Sequence, residues 1–315
     1  MIGVLEPNNF PLEAVNMLER LGPVLLGERE LATRAKSIEG LFCRLGTFLG
    51  HDHLERFEGL KWVASPTTAL SHLDLSYLQK RGVRVYSLRD LDFNELNRVT
   101  STAELTVFLM LAVTRNFLKV ANDPSSLERW DRYSETSKQL SSRKVGVIGV
   151  GRIGRRVYEC ASALGAQTLG FDIRDISSDS FKPNMVHSLK ELMIQSDVVI
   201  VCATYDPLEG PILSEEVLQF ANQGLLLVNT ARGELVDEEA IENLMRNGTL
   251  AGYATDVISG EPKAEFRQSP IFRLLDEGYN VVVTPHVGGA ASDALQFSEL
   301  ALATYVTDAQ ISGLQ

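Results

Sequence analysis

Three ionisable side chains follow apolar, strand-like segments in the second half of the chain. Arg232 lies in the segment NTARGELVDEEA, Glu261 in DVISGEP and His286 in VTPHVGG. Histidine can give or take a proton near neutral pH, a carboxylate can hold its ring, and the planar guanidinium of arginine binds carboxylates through two hydrogen bonds. A single histidine at a strand end is usually a surface or core residue, so the prediction of a catalytic site rests on all three side chains together.

A glycine-rich turn lies upstream of these residues. In KVGVIGVGRIGRRV, Gly149, Gly151 and Gly154 have the spacing G-x-G-x-x-G between an apolar strand and a segment compatible with a helix. In this context the first glycine permits a tight turn, the second lets a pyrophosphate approach the backbone, and the third lets the helix pack closely. We therefore predict a dinucleotide site in which the backbone N–H groups of Arg152 and Ile153 face the phosphates.

Asp172 indicates which dinucleotide is bound. It ends the next apolar segment, TLGFD, where a carboxylate can accept hydrogen bonds from both ribose hydroxyls and repel a 2′-phosphate. The sequence therefore predicts NAD as the cofactor. Arg174 follows two positions later, which leaves some use of NADP open.

Alternating strands and helices must position these residues. Apolar segments in the second half of the chain are KVGVIG, TLGFD, DVVIVCA, GLLLVNT, LAGYATDV and NVVVTP, and shorter ones such as IGVLEP and LKWVASP precede them. Nearly continuous apolar strands are buried on both faces, which favours parallel sheets covered by helices and hence the α/β class. In an open parallel sheet, ligands bind beyond the carboxyl ends of the strands, where Arg232, Glu261 and His286 are expected.

Length and composition exclude several classes of protein. The chain has 315 residues, enough for about two domains, with 44% hydrophobic and 23% charged residues. Its formal net charge of −11 argues against a nucleic-acid partner. Three scattered cysteines fit a reducing, cytoplasmic location and offer no metal-ligand spacing, so no metal site is predicted. The longest apolar run, LTVFLMLAV, is too short to span a bilayer, so no membrane partner is expected.

Five motifs together resemble one protein family. GVIGVGRIGRRV, FD, VNTARGELVDEEAI, ATDVISGEP and VTPHVGG occur in the order and spacing of the D-isomer-specific 2-hydroxyacid dehydrogenases, and a weaker resemblance extends over residues 60–113. The resemblance implies an α/β fold of two doubly wound, Rossmann-like parallel-sheet domains. An NAD-binding domain (residues 98–287) would be inserted in a discontinuous substrate domain (residues 1–97 and 288–315).

The resemblance also implies an activity. The chain is expected to interconvert a 2-oxo acid and a D-2-hydroxy acid by hydride transfer with NAD. His286 would donate or accept the proton, Glu261 would hold its imidazole, and Arg232 would bind the substrate carboxylate and polarise the carbonyl oxygen. Asp256 would hydrogen-bond the nicotinamide carboxamide. Further cofactor contacts are implied for Thr230 and Gly288.

The substrate side of the site is less defined. By resemblance, backbone N–H groups around Thr67, Thr68 and Ala69 should bind the substrate carboxylate. Family members often carry glycines in this loop, so SPTTALSHLD departs from the pattern and leaves the form of this binding site open. Arg44 ends a nearby strand and either contacts a distal anionic group of the substrate or faces solvent. A phosphorylated substrate therefore stays open.

The family resemblance implies a homodimer, formed through a long helix expected over residues 101–120. A helix inside the core between the domains is the alternative for this segment. The main alternative function is an NAD-sensing, corepressor-like binding protein on the same fold, because such a protein can keep all three site residues. A hydrolase with tightly bound NAD is a second alternative, against which Arg232, Glu261 and His286 argue.

Overall fold

The computed structural model describes residues 1–130, 133, 136–176, 181–206 and 208–313. The contacts divide the chain into two compact units. Unit 1 consists of Met1–Val99 and Ala290–Gln315, and unit 2 consists of Thr100–Gly289, so unit 2 is inserted in unit 1. The assignment of residues 1–97 and 288–315 as a substrate domain and of 98–287 as an NAD domain stays a prediction.

Each unit is built on one parallel sheet. The strands are β1 (Ile2–Val4), β2 (Val24–Leu26), β3 (Gly40–Phe42), β4 (Trp62–Ser65), β5 (Arg84–Ser87), β6 (Lys144–Ile148), β7 (Gln167–Phe171), β8 (Val198–Val201), β9 (Leu225–Asn229), β10 (Leu250–Thr255) and β11 (Val281–Val283). Unit 1 has the order β2-β1-β3-β4-β5 and unit 2 the order β11-β10-β9-β8-β6-β7. All paired strands are parallel, which confirms the predicted class of doubly wound α/β sheets.

Helices connect most of these strands. They are α1 (Leu12–Glu19), α2 (Glu28–Arg34), α3 (His51–Leu54), α4 (Leu75–Lys80), α5 (Phe93–Leu96), α6 (Ser101–Thr114), α7 (Phe117–Asn122), α8 (Pro124–Arg129), α9 (Arg152–Ala163), α10 (Leu189–Gln195), α11 (Glu215–Leu218), α12 (Glu238–Arg246), α13 (Pro270–Asp276) and α14 (Ser292–Ser312). In the described ranges no helix combines the length and apolar character that crossing a membrane requires.

Strand alternation explains why the apolar runs are nearly continuous. In β8, Val198 and Ile200 pack into one hydrophobic cluster of unit 2, while Val199 and Val201 pack into another on the opposite face of the sheet. Because successive side chains of a strand point to opposite faces, a sheet covered on both sides needs apolar residues at every position. Each apolar run therefore ends where its strand leaves the buried sheet, and the polar loop begins there.

The segment expected to be one helix over residues 101–120 is divided. Helix α6 ends at Thr114 and α7 begins at Phe117, because Asn116 adopts a left-handed backbone conformation with φ 49°. Asparagine tolerates this conformation better than most residues, but it cannot continue a right-handed helix. The prediction of a single helix was wrong at this point.

Candidate active site

Three neighbouring strands carry the predicted catalytic residues at one edge of the sheet of unit 2. The strand order β11-β10-β9 is joined in register, with Thr255 of β10 opposite both Asn229 of β9 and Val283 of β11. The carboxyl ends of the three strands are therefore level. Arg232 follows β9 and His286 follows β11 after equally short connections.

His286 and Glu261 are in direct contact. The imidazole Nδ1 and the carboxylate Oε1 are 2.7 Å apart, and the two side chains are 25% and 21% exposed. This contact uses Nδ1, and Nε2 makes no hydrogen bond within the part of the chain that the structure describes. A carboxylate on one ring nitrogen fixes the ring orientation and leaves the other nitrogen to exchange a proton with a ligand.

The backbone of His286 is unusual. Its φ is 51°, in the left-handed region that non-glycine residues rarely adopt. Its N–H donates to the main-chain oxygen of Asp256 at 2.8 Å, which holds the residue in this conformation. Strained residues of this kind concentrate at functional sites, where surrounding contacts offset the strain.

Asp256 holds the loop that carries the histidine. Its Oδ1 accepts hydrogen bonds from the Thr284 hydroxyl at 2.6 Å and the Val287 N–H at 2.9 Å, and its Oδ2 accepts one from the Gly288 N–H at 2.7 Å. The side chain is buried, which raises the pKa of this carboxyl, while the hydrogen bonds act in the opposite direction. A Cβ on Gly288 would lie 2.9 Å from Oδ2, so the close approach of loop and carboxylate requires glycine there.

Arg232 lies in a turn that packs against the loop of Glu261. The buried Asn229 side chain shapes the turn by accepting from the Ala231 N–H at 3.1 Å and donating to the Arg232 main-chain oxygen at 2.8 Å. A Cβ on Gly233 would lie 2.1 Å from the nitrogen of Ser259, so the two loops touch through their backbones. The position of Arg232 is thus coupled to that of Glu261.

Sequence reasoning missed two carboxylates that hold the loop of Glu261. Glu238 Oε1 accepts from the Ser259 N–H at 2.9 Å, and Glu234 Oε1 accepts from the Gly260 N–H at 3.1 Å. Burial raises the pKa of Glu238, although the hydrogen bonds from Ser269 and Ser259 oppose this. In the sequence, Glu238 is only an acidic residue in the first turn of a helix, so no local pattern distinguishes it.

The glycine loop connects β6 to α9 as predicted. Gly149 has φ 84°, which favours glycine. A Cβ on Gly154 would lie 1.9 Å from the Gly149 oxygen, so helix and loop could not meet with any larger residue. A Cβ on Gly151 would meet no atom nearer than Arg174 Nη2 at 3.9 Å, so this glycine borders open space. Arg152 and Ile153 open α9, and no side chain caps the helix at Gly151.

Asp172 lies directly after β7 beside this loop. Its Oδ2 accepts from the Val150 N–H at 3.0 Å and its Oδ1 from the Arg174 N–H at 2.9 Å. The Arg174 guanidinium also lies 3.3 Å from the carboxylate. Ribose hydroxyls that bind Asp172 would have to replace this guanidinium.

The remaining predicted residues lie in both units, some with hydrogen-bond partners and some without. Thr230 follows β9, and its hydroxyl lies 2.7 Å from the Thr106 hydroxyl of α6. In unit 1, the Thr67 hydroxyl donates to the Ala69 oxygen at 2.8 Å, while the N–H groups of Thr68 and Ala69 make no hydrogen bond among the described residues. Arg44 follows β3 and is paired with Glu299. No group of three or more His, Cys, Asp or Glu side chains in the described ranges is arranged to hold a metal ion.

A comparison with known protein families matches the part of the chain that contains these residues of unit 2. The sequence profile described as D-isomer specific 2-hydroxyacid dehydrogenase, NAD binding domain, matches residues 107–288. The chain belongs to the D-isomer specific 2-hydroxyacid dehydrogenase family. The resemblance inferred from the five motifs is confirmed, and the matched region is an NAD-binding domain.

Several relatives match over most of the chain. A D-3-phosphoglycerate dehydrogenase of Methanocaldococcus jannaschii is 30% identical over 302 residues, covering 93% of this chain and 55% of that protein. A glyoxylate reductase of Thermofilum pendens is 29% identical over 306 residues, covering 93% of this chain and 87% of that protein. A crystal structure of a Thermus thermophilus protein matches with a TM-score of 0.78 and 28% identity over 99% of this chain and 97% of that one. The chain spans about half the length of the D-3-phosphoglycerate dehydrogenases that it matches.

The residues of the glycine loop fit NAD. The open space at Gly151 leaves room for a pyrophosphate beside the backbone, and the N-terminus of α9 provides N–H groups and a favourable dipole for it. Asp172 provides a carboxylate at the end of the adjacent strand, the position at which such folds bind the adenosine ribose.

Proposed function

We propose that this chain is an NAD-dependent oxidoreductase that interconverts a 2-oxo acid and a D-2-hydroxy acid. The observation that carries the proposal is the contact between His286 and Glu261 at the strand ends of an NAD-binding domain. The names of the relatives, D-3-phosphoglycerate dehydrogenase and glyoxylate reductase, support a dehydrogenase over the NAD-sensing alternative.

His286 is the proton donor and acceptor of this mechanism. Its Nε2 gives a proton to the substrate oxygen during reduction and takes it back during oxidation. Glu261 holds Nδ1, so the ring keeps the orientation in which Nε2 faces the ligand. Bound NAD supplies or accepts the hydride at the substrate C2 atom.

Arg232 binds the substrate carboxylate and polarises the carbonyl oxygen that becomes the alkoxide. Its guanidinium forms two parallel hydrogen bonds with a carboxylate, which fixes orientation as well as charge. The tight contact between Gly233 and Ser259 supports this role, because it keeps the loops that carry Arg232 and Glu261 packed against each other. In unit 1, the backbone N–H groups of Thr68 and Ala69 are proposed to bind a carboxylate.

The cofactor contacts are proposed for the glycine loop and for residues at the strand ends. Gly151 and the backbone N–H groups of Arg152 and Ile153 would hold the pyrophosphate, in a loop whose shape depends on Gly149 and Gly154. Asp172, Thr230, Asp256 and Gly288 would contact the rest of the dinucleotide. The Asp172 charge favours NADH over NADPH, since a 2′-phosphate would be repelled. Asp256 already accepts hydrogen bonds from the loop that carries His286, which supports a second role in positioning His286.

A homodimer is proposed through α6 and α7. Phe108, Leu111, Phe117 and Val120 are exposed, and the rings of Phe108 and Phe117 stack edge to face at 6.3 Å. Exposed apolar groups of this kind often mark interfaces. A sedimentation experiment tests the dimer.

A cytoplasmic location also remains a prediction, and it rests on the three free cysteines.

A turnover assay tests the proposed activity. Purified protein should oxidise NADH in the presence of small 2-oxo acids and should use NADH with a higher kcat/KM than NADPH. Asp172→Ala should reduce the difference in kcat/KM between NADH and NADPH. The variant loses both the hydrogen bonds of the carboxylate to the ribose and its repulsion of the 2′-phosphate. Binding of NADH without reduction of any 2-oxo acid would instead support the NAD-sensing alternative.

A further inference from the structure

An arginine and a carboxylate from opposite ends of the chain are paired in unit 1. Arg44 Nε donates a hydrogen bond to Glu299 Oε1, and Arg44 Nη1 donates to the Asn8 main-chain oxygen at 2.7 Å. The Arg44 side chain is 21% exposed and that of Glu299 is 0% exposed. Helix α14 therefore places a fully buried carboxylate against the arginine that follows β3.

A second carboxylate belongs to the same group. The Arg44 N–H donates to Glu6 Oε2, and Thr47 Oγ1 lies 3.4 Å from Glu6 Oε1. We call Glu6, Arg44 and Glu299 the charge cluster. With both carboxylates ionised, the charge cluster carries two negative charges and one positive charge. With Glu299 protonated, the formal charges of Glu6 and Arg44 sum to zero.

The charge cluster is costly for the fold. Glu299 Oε2 is buried and has no hydrogen-bond partner among the described residues. Burial raises the pKa of Glu299 above its ordinary value, and Glu6 adds to this, although Arg44 opposes it. Buried ion pairs often stabilise a protein less than apolar residues of similar size would, and an unsatisfied oxygen adds a further cost. Stability therefore does not explain why Glu299 is a glutamate.

The position of the charge cluster suggests what it does. Strand β3 pairs with β4, and the Cys43 N–H donates to the Ala64 oxygen at 2.9 Å. Arg44 therefore lies at the same sheet edge as the loop of Thr68 and Ala69, whose N–H groups are proposed to bind the substrate carboxylate. A substrate whose carboxylate is bound by these N–H groups would lie at the edge that also carries Arg44.

We infer that Glu299 is a specificity-determining residue that selects 2-oxo acids with an uncharged C3 substituent and disfavours those with a distal phosphate. The inference rests on the proposed function. An unpaired arginine would attract a phosphate, but here the guanidinium of Arg44 is paired with Glu299, and Glu6, which accepts from the Arg44 main-chain N–H, adds a second negative charge. With both carboxylates ionised, the cluster has a net negative charge that repels a phosphate dianion, and repulsion of the wrong ligand is an effective source of specificity. An uncharged hydroxyl meets no such penalty, and Arg44 Nη2 has no partner among the described residues and can donate to it.

Two probes that differ only in a phosphate test this inference. These are hydroxypyruvate and its 3-phosphate ester, each reduced with saturating NADH. The wild-type protein should favour the free compound in kcat/KM by at least about tenfold, the size of effect that one like-charge contact can produce. Glu299→Gln keeps the shape and removes the charge, so it should raise kcat/KM for the ester relative to hydroxypyruvate by about tenfold.

Asp308→Asn is the matched control. Asp308 is an exposed carboxylate on the same helix, 3.8 Å from Arg20, and its removal should leave the ratio of the two kcat/KM values unchanged. A wild-type preference for the ester overturns the inference while leaving the proposed function intact, and it can be measured even if Glu299→Gln does not fold. An unchanged ratio in a folded Glu299→Gln protein also overturns it. Failure to reduce any 2-oxo acid overturns the proposed function, and the inference with it.

Discussion

Each of the two parallel sheets has a pair of ionisable side chains in contact beyond its strand ends, but the two pairs differ in kind. In unit 2, His286 and Glu261 are 25% and 21% exposed, and both follow strands of the same sheet. In unit 1, Arg44 is 21% exposed and Glu299 is 0% exposed, and the carboxylate comes from a helix. The same architecture therefore supports one accessible pair and one pair with a buried member.

The difference in exposure and residue type between the two pairs suits them to different roles, proton transfer in unit 2 and discrimination between ligands by charge in unit 1. Histidine changes its charge near neutral pH, so an accessible histidine beside a carboxylate can exchange a proton with a ligand. Arginine keeps its charge at every physiological pH, so the pair in unit 1 can only set the charge that a ligand meets. The first pair is suited to catalysis and the second to specificity.

The largest effect should come from removing the proton donor. His286→Ala should lower kcat by roughly 10²–10⁴-fold, the usual contribution of general acid–base catalysis. NADH affinity should change little, since the glycine loop is untouched. Steady-state kinetics and NADH titration measure the two effects. The exposed His187 of the same unit is the control, and an equal loss of activity in His187→Ala would refute the assignment.

Arg232→Lys should have the next largest effect. The charge remains, but the two parallel hydrogen bonds to the substrate carboxylate are lost. We expect kcat/KM for the 2-oxo acid to fall by about 100-fold, as for loss of one oriented donor to a developing oxyanion. The NADH dissociation constant is measured in parallel. If it rises by the same factor, Arg232 serves the cofactor or the fold rather than the substrate.

Substitutions at two glycines of the cofactor loop should distinguish an effect on NADH binding from an effect on folding. At Gly151 the atom nearest to an added Cβ would be Arg174 Nη2 at 3.9 Å, whereas at Gly154 the Cβ would lie 1.9 Å from a backbone oxygen. Gly151→Ala should keep the melting temperature and weaken NADH binding by about tenfold, since a methyl group obstructs the pyrophosphate. Gly154→Ala should instead lower the melting temperature. Unchanged NADH affinity in Gly151→Ala would contradict the proposed phosphate site.

The smallest effect concerns the pH dependence of stability at the buried pair. Because burial raises the pKa of Glu299, the folded state binds this proton more tightly than the unfolded state. The stability that Glu299 contributes is therefore lost as pH rises from below the ordinary glutamate pKa, about 4.3, through the higher folded value. The free energy of unfolding of Glu299→Gln relative to wild type should increase as the pH rises above the ordinary glutamate pKa, about 4.3. Urea unfolding at several pH values measures this difference, and a constant difference would show that the pKa of Glu299 is not raised.

The sequence by itself determined the fold class, the family and the cofactor. The glycine spacing between β6 and α9, the alternation of strands and helices, and the placement of Arg232, Glu261 and His286 after strands are all local patterns. Local patterns can be recognised in a sequence because they depend on backbone geometry and on the burial of consecutive residues. The contact between His286 and Glu261 followed from parallel strands that end at one edge of the sheet.

Only the tertiary structure decided the partners of other charged side chains. Glu238 holds the loop of Glu261, and Glu299 meets Arg44 across a sequence separation of 255 residues. Asn116 ends a helix that its apolar neighbours would have continued. Such contacts depend on how distant elements pack, and a buried carboxylate looks in the sequence like any charged residue on a helix. Periodicity in the sequence predicts which face of a helix or strand is buried. It does not predict which charged side chain contacts that face, because this side chain belongs to an element distant in the sequence.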